Sequence, residues 1–161
     1  MAGNHGEFEE EGEDLDLDFL INISINNRNH IRDLSKILAP VDGLILTGAL
    51  GLLYFILNNR QGQSATVLPD LNWITLNWVI DLLLITSGFM TGSIISSIQS
   101  VTIKVQKPIV TRIQYIDDLN AVYTREYEWA RLSVILLLFG ICAFIAAMIL
   151  FSWNYLTKAL G

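Results

Sequence analysis

SVILLLFGICAFIAAMIL, residues 133–150, is the stretch that decides the fold of this 161-residue chain. It belongs to one of three long apolar segments, which span residues 38–57, 74–98 and 132–153. Each segment holds about 20 or more predominantly apolar residues, enough for a helix that rises about 1.5 Å per residue to cross ~30 Å of hydrocarbon. A backbone in lipid must satisfy its own polar groups, and unbroken apolar runs favour helices over the alternating strands of a barrel. The sequence therefore predicts a mainly α fold with three transmembrane helices.

The composition agrees with a small integral membrane protein. Hydrophobic residues make up 52% of the chain, and the mean hydropathy is +0.46. Residues 1–18 are acidic where a cleavable signal peptide has a basic region and an apolar core, so we expect the first apolar segment to act as the targeting signal. Cys142 is the single cysteine and lies within the third apolar segment. It can form no disulfide within the chain, and we expect it to pack as a small hydrophobe.

The acidic residues are concentrated at the N-terminus. Residues 7–18 hold eight acidic side chains and no basic one, whereas the rest of the chain holds eight acidic residues against ten basic ones. Such a segment is typical of a solvated, disordered tail. A docking tail for a basic partner is the alternative.

The distribution of Lys and Arg predicts the orientation. Taken in chain order, the regions flanking the three segments carry 3, 1, 5 and 1 of these residues. Because cytoplasmic flanks carry the excess, we expect a multi-pass protein of the cell membrane with a cytoplasmic N-terminus and a C-terminus outside. Trp73 and Trp78 lie near the outer end of the second segment, and Trp153 lies at the outer end of the third. These positions fit an interfacial aromatic belt.

These observations divide the chain into eight segments. In order they are an acidic disordered tail (1–18), a cytoplasmic strand or helix (19–37), transmembrane helix 1 (38–57), an outer loop (58–73), transmembrane helix 2 (74–98), a cytoplasmic linker and amphipathic helix (99–131), transmembrane helix 3 (132–154) and an outer C-terminus (155–161).

Two short segments show the alternation of β-strands. Apolar residues occupy every second position over residues 15–25, and Val101, Ile103 and Val105 alternate with polar residues. The first segment is acidic and the second basic, so the two could pair as a short β-ribbon, although an isolated ribbon is marginal in water. The alternatives are an amphipathic surface segment for residues 15–26 and a helical continuation of the second span for residues 101–105.

A heptad pattern precedes the third apolar segment. Apolar or aromatic residues recur in steps of four and three from Ile109 to Ala130, with Asn120 in one slot. No Pro or Gly follows until the apolar segment, so residues 109–154 are predicted to form one continuous helix that extends into the cytoplasm. Asn120 would fix the register of an oligomer or bond to a neighbouring helix of the same chain, and we favour the second role.

Small residues form stripes along the three predicted spans, at positions that let helix backbones approach closely in lipid. The candidate helix-packing residues are Gly43, Thr47 and Gly51 in the first span, Gly88, Gly92 and Ser96 in the second, and Gly140, Ala143 and Ala147 in the third. The simplest interpretation is that spans one and two pack on each other along these stripes, and the pattern does not distinguish packing within a chain from packing between chains.

Two acidic residues, Asp42 and Asp81, lie within apolar segments. Ionisable residues in membranes are costly and are functional candidates by default. Because the two lie near opposite leaflets, we do not expect them to share a proton or an ion. We favour structural or interfacial roles over a conduction or gating path.

Motifs for enzymatic chemistry are absent from the sequence. It contains no P-loop, GxSxG, HExxH or CxxC motif, and its two histidines lie in the first 30 residues. We therefore expect no enzymatic activity, no catalytic residues, no metal site, no cofactor and no nucleic-acid partner.

The order of the elements suggests a family. The segment NHIRDLSKI (29–37) leads into the first span, and YTREYEWARLS (123–133) leads into the third. This arrangement resembles the small membrane effectors of Pycsar anti-phage systems and, more loosely, SLATT-type membrane proteins. The resemblance implies an antiviral defence role in which a cyclic nucleotide turns on a membrane-disrupting assembly. The chain reads ILAPVDGLIL where family members tend to have Asp-x-Lys-Ala.

A nucleotide pocket would need cations, and the available ones are Lys104, Lys107, Arg112 and Arg125. The alternative is that these residues set the topology and meet anionic lipid heads.

Our first functional hypothesis is a non-enzymatic membrane protein in the lipid bilayer that self-associates as a homo-oligomer or serves as an accessory subunit of a membrane complex. The second hypothesis is a cyclic-nucleotide-gated effector.

Overall fold

The computed structural model describes residues 6–61, 73–103 and 112–159, and these residues form three α-helices: α1 (Gly6–Gln61), α2 (Trp73–Thr102) and α3 (Arg112–Ala159). All three are long and apolar enough to cross a membrane. The described part of the chain contains no strand. The prediction of a mainly α protein with three apolar helices of membrane-spanning length is confirmed.

The helices run up, down and up, and each contacts the other two. Ser35 of α1 bonds to Ser100 of α2, whereas Asp42, one layer further along, bonds to Ser93, so α1 and α2 are antiparallel. α3 is parallel to α1, since Ser24 bonds to Asn120 and Arg28 to Glu126. It is antiparallel to α2, since Ser133 bonds to Ser93 and Gly140 lies beside Met90, and the contact between α2 and α3 is the most extensive of the three. At about 1.5 Å per residue, α1 and α3 are far longer than ~30 Å of hydrocarbon. Their N-terminal parts, residues 18–37 and 113–131, extend side by side from the bundle and are called the stalk below.

The β-ribbon is not present in the described residues, and its first strand was wrongly predicted. Residues 15–26 lie within α1, and Ser24 there reaches α3 to hydrogen-bond Asn120. A helix satisfies its own backbone hydrogen bonds, whereas the predicted strand needed a partner strand to do so. The proposed partner began at Val101, which lies in the last turn of α2, and its end falls outside the described residues. α1 begins at Gly6, so this helix also includes most of the acidic segment.

α3 is one continuous helix from the stalk into the third apolar segment. This agrees with the expectation of one helix over residues 109–154, of which 109–111 lie outside the described residues. Its packed face differs from the predicted heptad seam. In the α3 part of the stalk, Leu119 and Glu126 are fully buried. Of the predicted seam, Ala130 is buried, whereas Ile113 and Tyr127 are exposed. The packed face of α3 therefore shares Ala130 with the predicted seam but also contains Leu119 and the charged Glu126, which faces the arginines of α1.

Buried positions recur every seven residues in all three helices, the period of helices that pack with a small crossing angle. They are Ser35, Asp42, Ala49 and Ile56 in α1, Val79, Thr86, Ser93 and Ser100 in α2, and Leu119, Glu126, Ser133 and Ala147 in α3. The apolar core lies where α1 ends and α2 begins, and it includes Ala49, Ile56, Val79, Leu83 and Ala147. Towards the stalk, polar side chains replace this core.

Candidate functional site: a polar seam inside the bundle

The polar half of the interior is the candidate functional site, and we call it the polar seam. It consists of Arg28, Arg32, Ser35 and Asp42 from α1, Ser93, Ser97 and Ser100 from α2, and Glu126 and Ser133 from α3. Polar residues within membrane bundles face the interior because lipid offers them no hydrogen-bond partner. The seam therefore lies where the three helices meet.

An ion-pair cluster forms the stalk end of the seam. Glu126 is fully buried, and its two carboxylate oxygens accept bonds of 2.9 and 2.8 Å from the Nε of Arg28. The Nη2 of Arg32 donates to the same carboxylate at 3.1 Å. Charge-assisted bonds of this kind are about twice as strong as neutral ones. The cluster joins α1 to α3 through one carboxylate shared by two cations.

The same arginines also cap α2. Arg28 Nη2 donates to the carbonyl oxygen of Ile103 at 2.9 Å, and Arg32 Nη2 donates to it at 3.3 Å. Ile103 directly follows the last residue of α2, so this carbonyl lies at the negative end of the helix dipole. Two cations at that position satisfy an orphan acceptor and complement the dipole. All three helices are thus tied together at one level of the bundle.

A serine pair continues the seam from the ion-pair cluster towards the apolar segments. Ser35 and Ser100 are both fully buried, with their hydroxyl oxygens 2.6 Å apart. Ser100 also donates to the carbonyl oxygen of Ser97 at 2.8 Å. Since Ser100 has one proton, Ser35 is the donor in the pair, and each hydroxyl is satisfied.

Asp42 lies one further layer into the bundle and is fully buried. Its Oδ2 is 2.7 Å from the hydroxyl oxygen of Ser93, while its Oδ1 has no hydrogen-bond partner. Ser93 is also 2.9 Å from the backbone carbonyl oxygen of Ser133 and 3.0 Å from the Ser133 hydroxyl. Ser97 lies 2.7 Å from the same hydroxyl. This layer joins all three helices through oxygen atoms alone.

The predicted small residues fall into two groups. One group lies inside the bundle: Gly92 is beside Leu136, and Gly140 is beside Met90. Ser96 and Ala147 are buried, and Ala143 is half-buried. At Gly43, Gly51 and Gly88, a Cβ atom would meet no heavy atom within 4 Å, and Thr47 is exposed. The stripes therefore lie partly at internal contacts and partly on the outside of the bundle.

The two acidic residues are separated by the fold. Asp42 is buried in the seam, whereas Asp81 is exposed on α2. Of the four candidate phosphate-binding cations, Lys104 and Lys107 lie outside the described residues, and so does the side chain of Arg112. Arg125 is exposed. The structure does not bring this set together within the part of the chain that it describes.

Sequence reasoning missed most of the seam. Arg28 and Arg32 contribute only to the Lys and Arg distribution that predicts the orientation, and neither Glu126 nor the five serines of the seam are among the candidate residues. A signal was present, because Arg28, Ser35 and Asp42 are spaced by seven, as are Glu126 and Ser133. Polar residues at heptad spacing that continue into an apolar segment indicate a buried polar face.

Comparison with known proteins returned no matching family model, no similar curated protein and no similar solved structure.

Proposed function

We propose that this chain is a non-enzymatic, three-span integral membrane protein that self-associates in the bilayer, as a homo-oligomer or within a larger membrane complex. The observation that carries the proposal is a stripe of small residues on the outside of α1. Gly43, Thr47 and Gly51 are spaced by four, and a Cβ atom at either glycine would meet nothing within 4 Å. Residues at this spacing lie on one helix face.

The stripe is separate from the face that α1 uses inside the chain. The internal face is marked by the buried residues Asp42, Ala49 and Ile56. At about 100° per residue, the position of Gly51 is roughly on the opposite side of α1 from Ala49. In lipid, helices associate through close backbone packing and not through hydrophobic transfer. An outward stripe of this kind is suited to a second helix, which supports self-association.

The stalk supplies a second reason. Phe19 and Ile113 are 63% and 66% exposed, and Tyr127 is 50% exposed. All three lie outside the apolar segments predicted to cross the membrane. Large apolar side chains exposed to water mark interaction surfaces, so the stalk is suited to continue an association that begins within the bilayer.

The test compares two matched glycine variants. Full-length wild type, Gly51→Leu and Gly88→Leu are extracted in mild detergent and analysed by native mass spectrometry and by crosslinking in membranes. Wild type should give multimers or co-purifying subunits. Gly51→Leu should lower the multimer fraction several-fold, and Gly88→Leu, which adds the same side chain at an open position on α2, should not. A strictly monomeric wild type without partners would refute the proposal.

A second candidate is the nucleotide-gated membrane effector. It is favoured by the excess positive charge of the ion-pair cluster, in which Arg28 and Arg32 share one carboxylate and the buried Nε of Arg32 has no partner. An anion such as a phosphate could compete with Glu126 for these cations. Calorimetry with a panel of cyclic nucleotides tests this candidate. Binding that is lost in Arg32→Gln would support it, and no binding across the panel would remove it.

A further inference from the structure

We propose that Asp42 is a proton-binding site, held as a neutral carboxylic acid in the centre of the bundle. The layer contains four close oxygen–oxygen contacts: Asp42 Oδ2 with Ser93 Oγ, Ser93 Oγ with the Ser133 carbonyl oxygen, Ser93 Oγ with Ser133 Oγ, and Ser97 Oγ with Ser133 Oγ. Their lengths run from 2.7 to 3.0 Å. Two oxygen atoms at such a distance attract only with a proton between them, and each of the four contacts is a full, unshared hydrogen bond only if it has a proton of its own.

The three serine hydroxyls cannot supply all of these protons. Each carries one, so with an ionised Asp42 one of the four contacts either has no proton or shares the Ser93 proton with a second acceptor. A carboxylic acid at Asp42 supplies the fourth. Asp42 then donates to Ser93, Ser93 donates to the carbonyl oxygen of Ser133, Ser133 donates back to Ser93, and Ser97 donates to Ser133. Every contact is then satisfied, and Ser93 accepts two bonds, which is its full capacity.

The unpartnered oxygen supports the same assignment. Asp42 Oδ1 is buried and accepts no hydrogen bond. In an ionised group this atom would carry about half of a negative charge away from water, at a cost far greater than that of a neutral carbonyl oxygen. A proton on Oδ2 makes Oδ1 such a carbonyl oxygen.

Other charges do not balance Asp42 within the described residues. The described ionisable side chains that flank this layer in sequence are exposed or paired elsewhere. On α1 Lys36 pairs with Asp33, on α2 Asp81 is exposed, and on α3 Glu126 pairs with Arg28 and Arg32 while the others are exposed: Tyr127, Glu128, Arg131 and Cys142. Asp42 is therefore the group of this layer that can gain or lose charge. Loss of its proton would remove one bond and place a bare anion between three helices.

Infrared spectroscopy of the full-length protein in nanodiscs tests the proposal directly. At neutral pH, wild type should show the carbonyl stretch of a protonated carboxylic acid, and this component should be absent from Asp42→Asn and present in the matched control Asp81→Asn. Ser93→Ala removes the acceptor of the Asp42 proton, so it should shift this component to higher frequency without abolishing it. If Asp42→Asn fails to fold, an unshifted band in Ser93→Ala would itself overturn the assignment.

The pH dependence of thermal unfolding in detergent is the second readout. The folded state holds a proton on Asp42 that the unfolded chain loses above acidic pH. Asp42 should therefore contribute a fall in stability as pH rises, of about tenfold per pH unit in the folding equilibrium, until the folded state also releases the proton. Asp42→Asn should lack this contribution. An identical pH profile in the variant would overturn the proposal. A missing carboxylic-acid band, with sodium stabilising wild type over choline, would overturn it in favour of a sodium site.

Discussion

Glu126 shows how much one side chain contributes to this bundle. It is fully buried, yet it pairs with two arginines from another helix, which in turn cap the end of α2. Buried charges are tolerated only when they are paired and hydrogen-bonded. The position therefore depends on the charge of the carboxylate as well as on its shape.

Replacing this carboxylate tests that dependence. Glu126→Gln keeps the shape but leaves Arg28 and Arg32 without a counter-charge, so we expect a loss of about 3 kcal/mol in the free energy of unfolding. Denaturation in detergent measures it. Glu128→Gln is the matched control, because Glu128 is exposed on the same helix, and its effect should stay within about 0.5 kcal/mol. Equal stability of the two variants would show that the cluster is not a structural requirement.

At the scale of helices, some contacts are too close for a larger side chain. A Cβ atom at Gly140 would clash with the end of Met90 and come within 3.4 Å of Phe89. Met90 is fully buried, so its side chain has little space into which it can move. Gly140 thus lets α2 and α3 approach closely.

Overpacking this contact should separate the two helices. We expect Gly140→Leu to lower the free energy of unfolding by about 2 kcal/mol, because inserted methylene groups force side chains and backbone apart. Gly88→Leu, at an open position, serves as the control. Adding Met90→Ala to Gly140→Leu should recover part of the loss, and a double variant no more stable than Gly140→Leu alone would contradict this account of the contact.

The sequence predicted the helices better than their faces. Residues 132–153 could be assigned because hydrophobicity and length alone decide a membrane helix. The packed face of α3 could not be assigned, because Ile113 and Tyr127 fit a heptad as well as Leu119 and Glu126 do, and the two sets are distinguished by the position of Arg28 on α1. The strand was predicted from the alternation of apolar residues over 15–25. That pattern does not show that residues 18–37 pack as a helix against α3.

At the scale of the whole molecule, the polar seam and the stripe of small residues on the outside of α1 occupy different faces of that helix. The seam ties α1, α2 and α3 together inside one chain, while Gly43 and Gly51 leave one face of α1 open. The roles proposed for both features require that the apolar outer surface of the helices faces lipid. Exposed residues such as Leu44 and Phe139, at 76% and 59%, fit that environment and would be unfavourable in water.

The most direct test of the account is therefore the accessibility of two cysteines in intact cells, in a Cys142→Ala background. Asn58 and Thr124 are exposed residues at opposite ends of the bundle. If the helices cross the membrane with the stalk in the cytoplasm, an impermeant thiol reagent labels Asn58→Cys in intact cells and Thr124→Cys only after permeabilisation. Labelling of both from one side would contradict the membrane-spanning bundle, and the reverse pattern would place the stalk outside the cell.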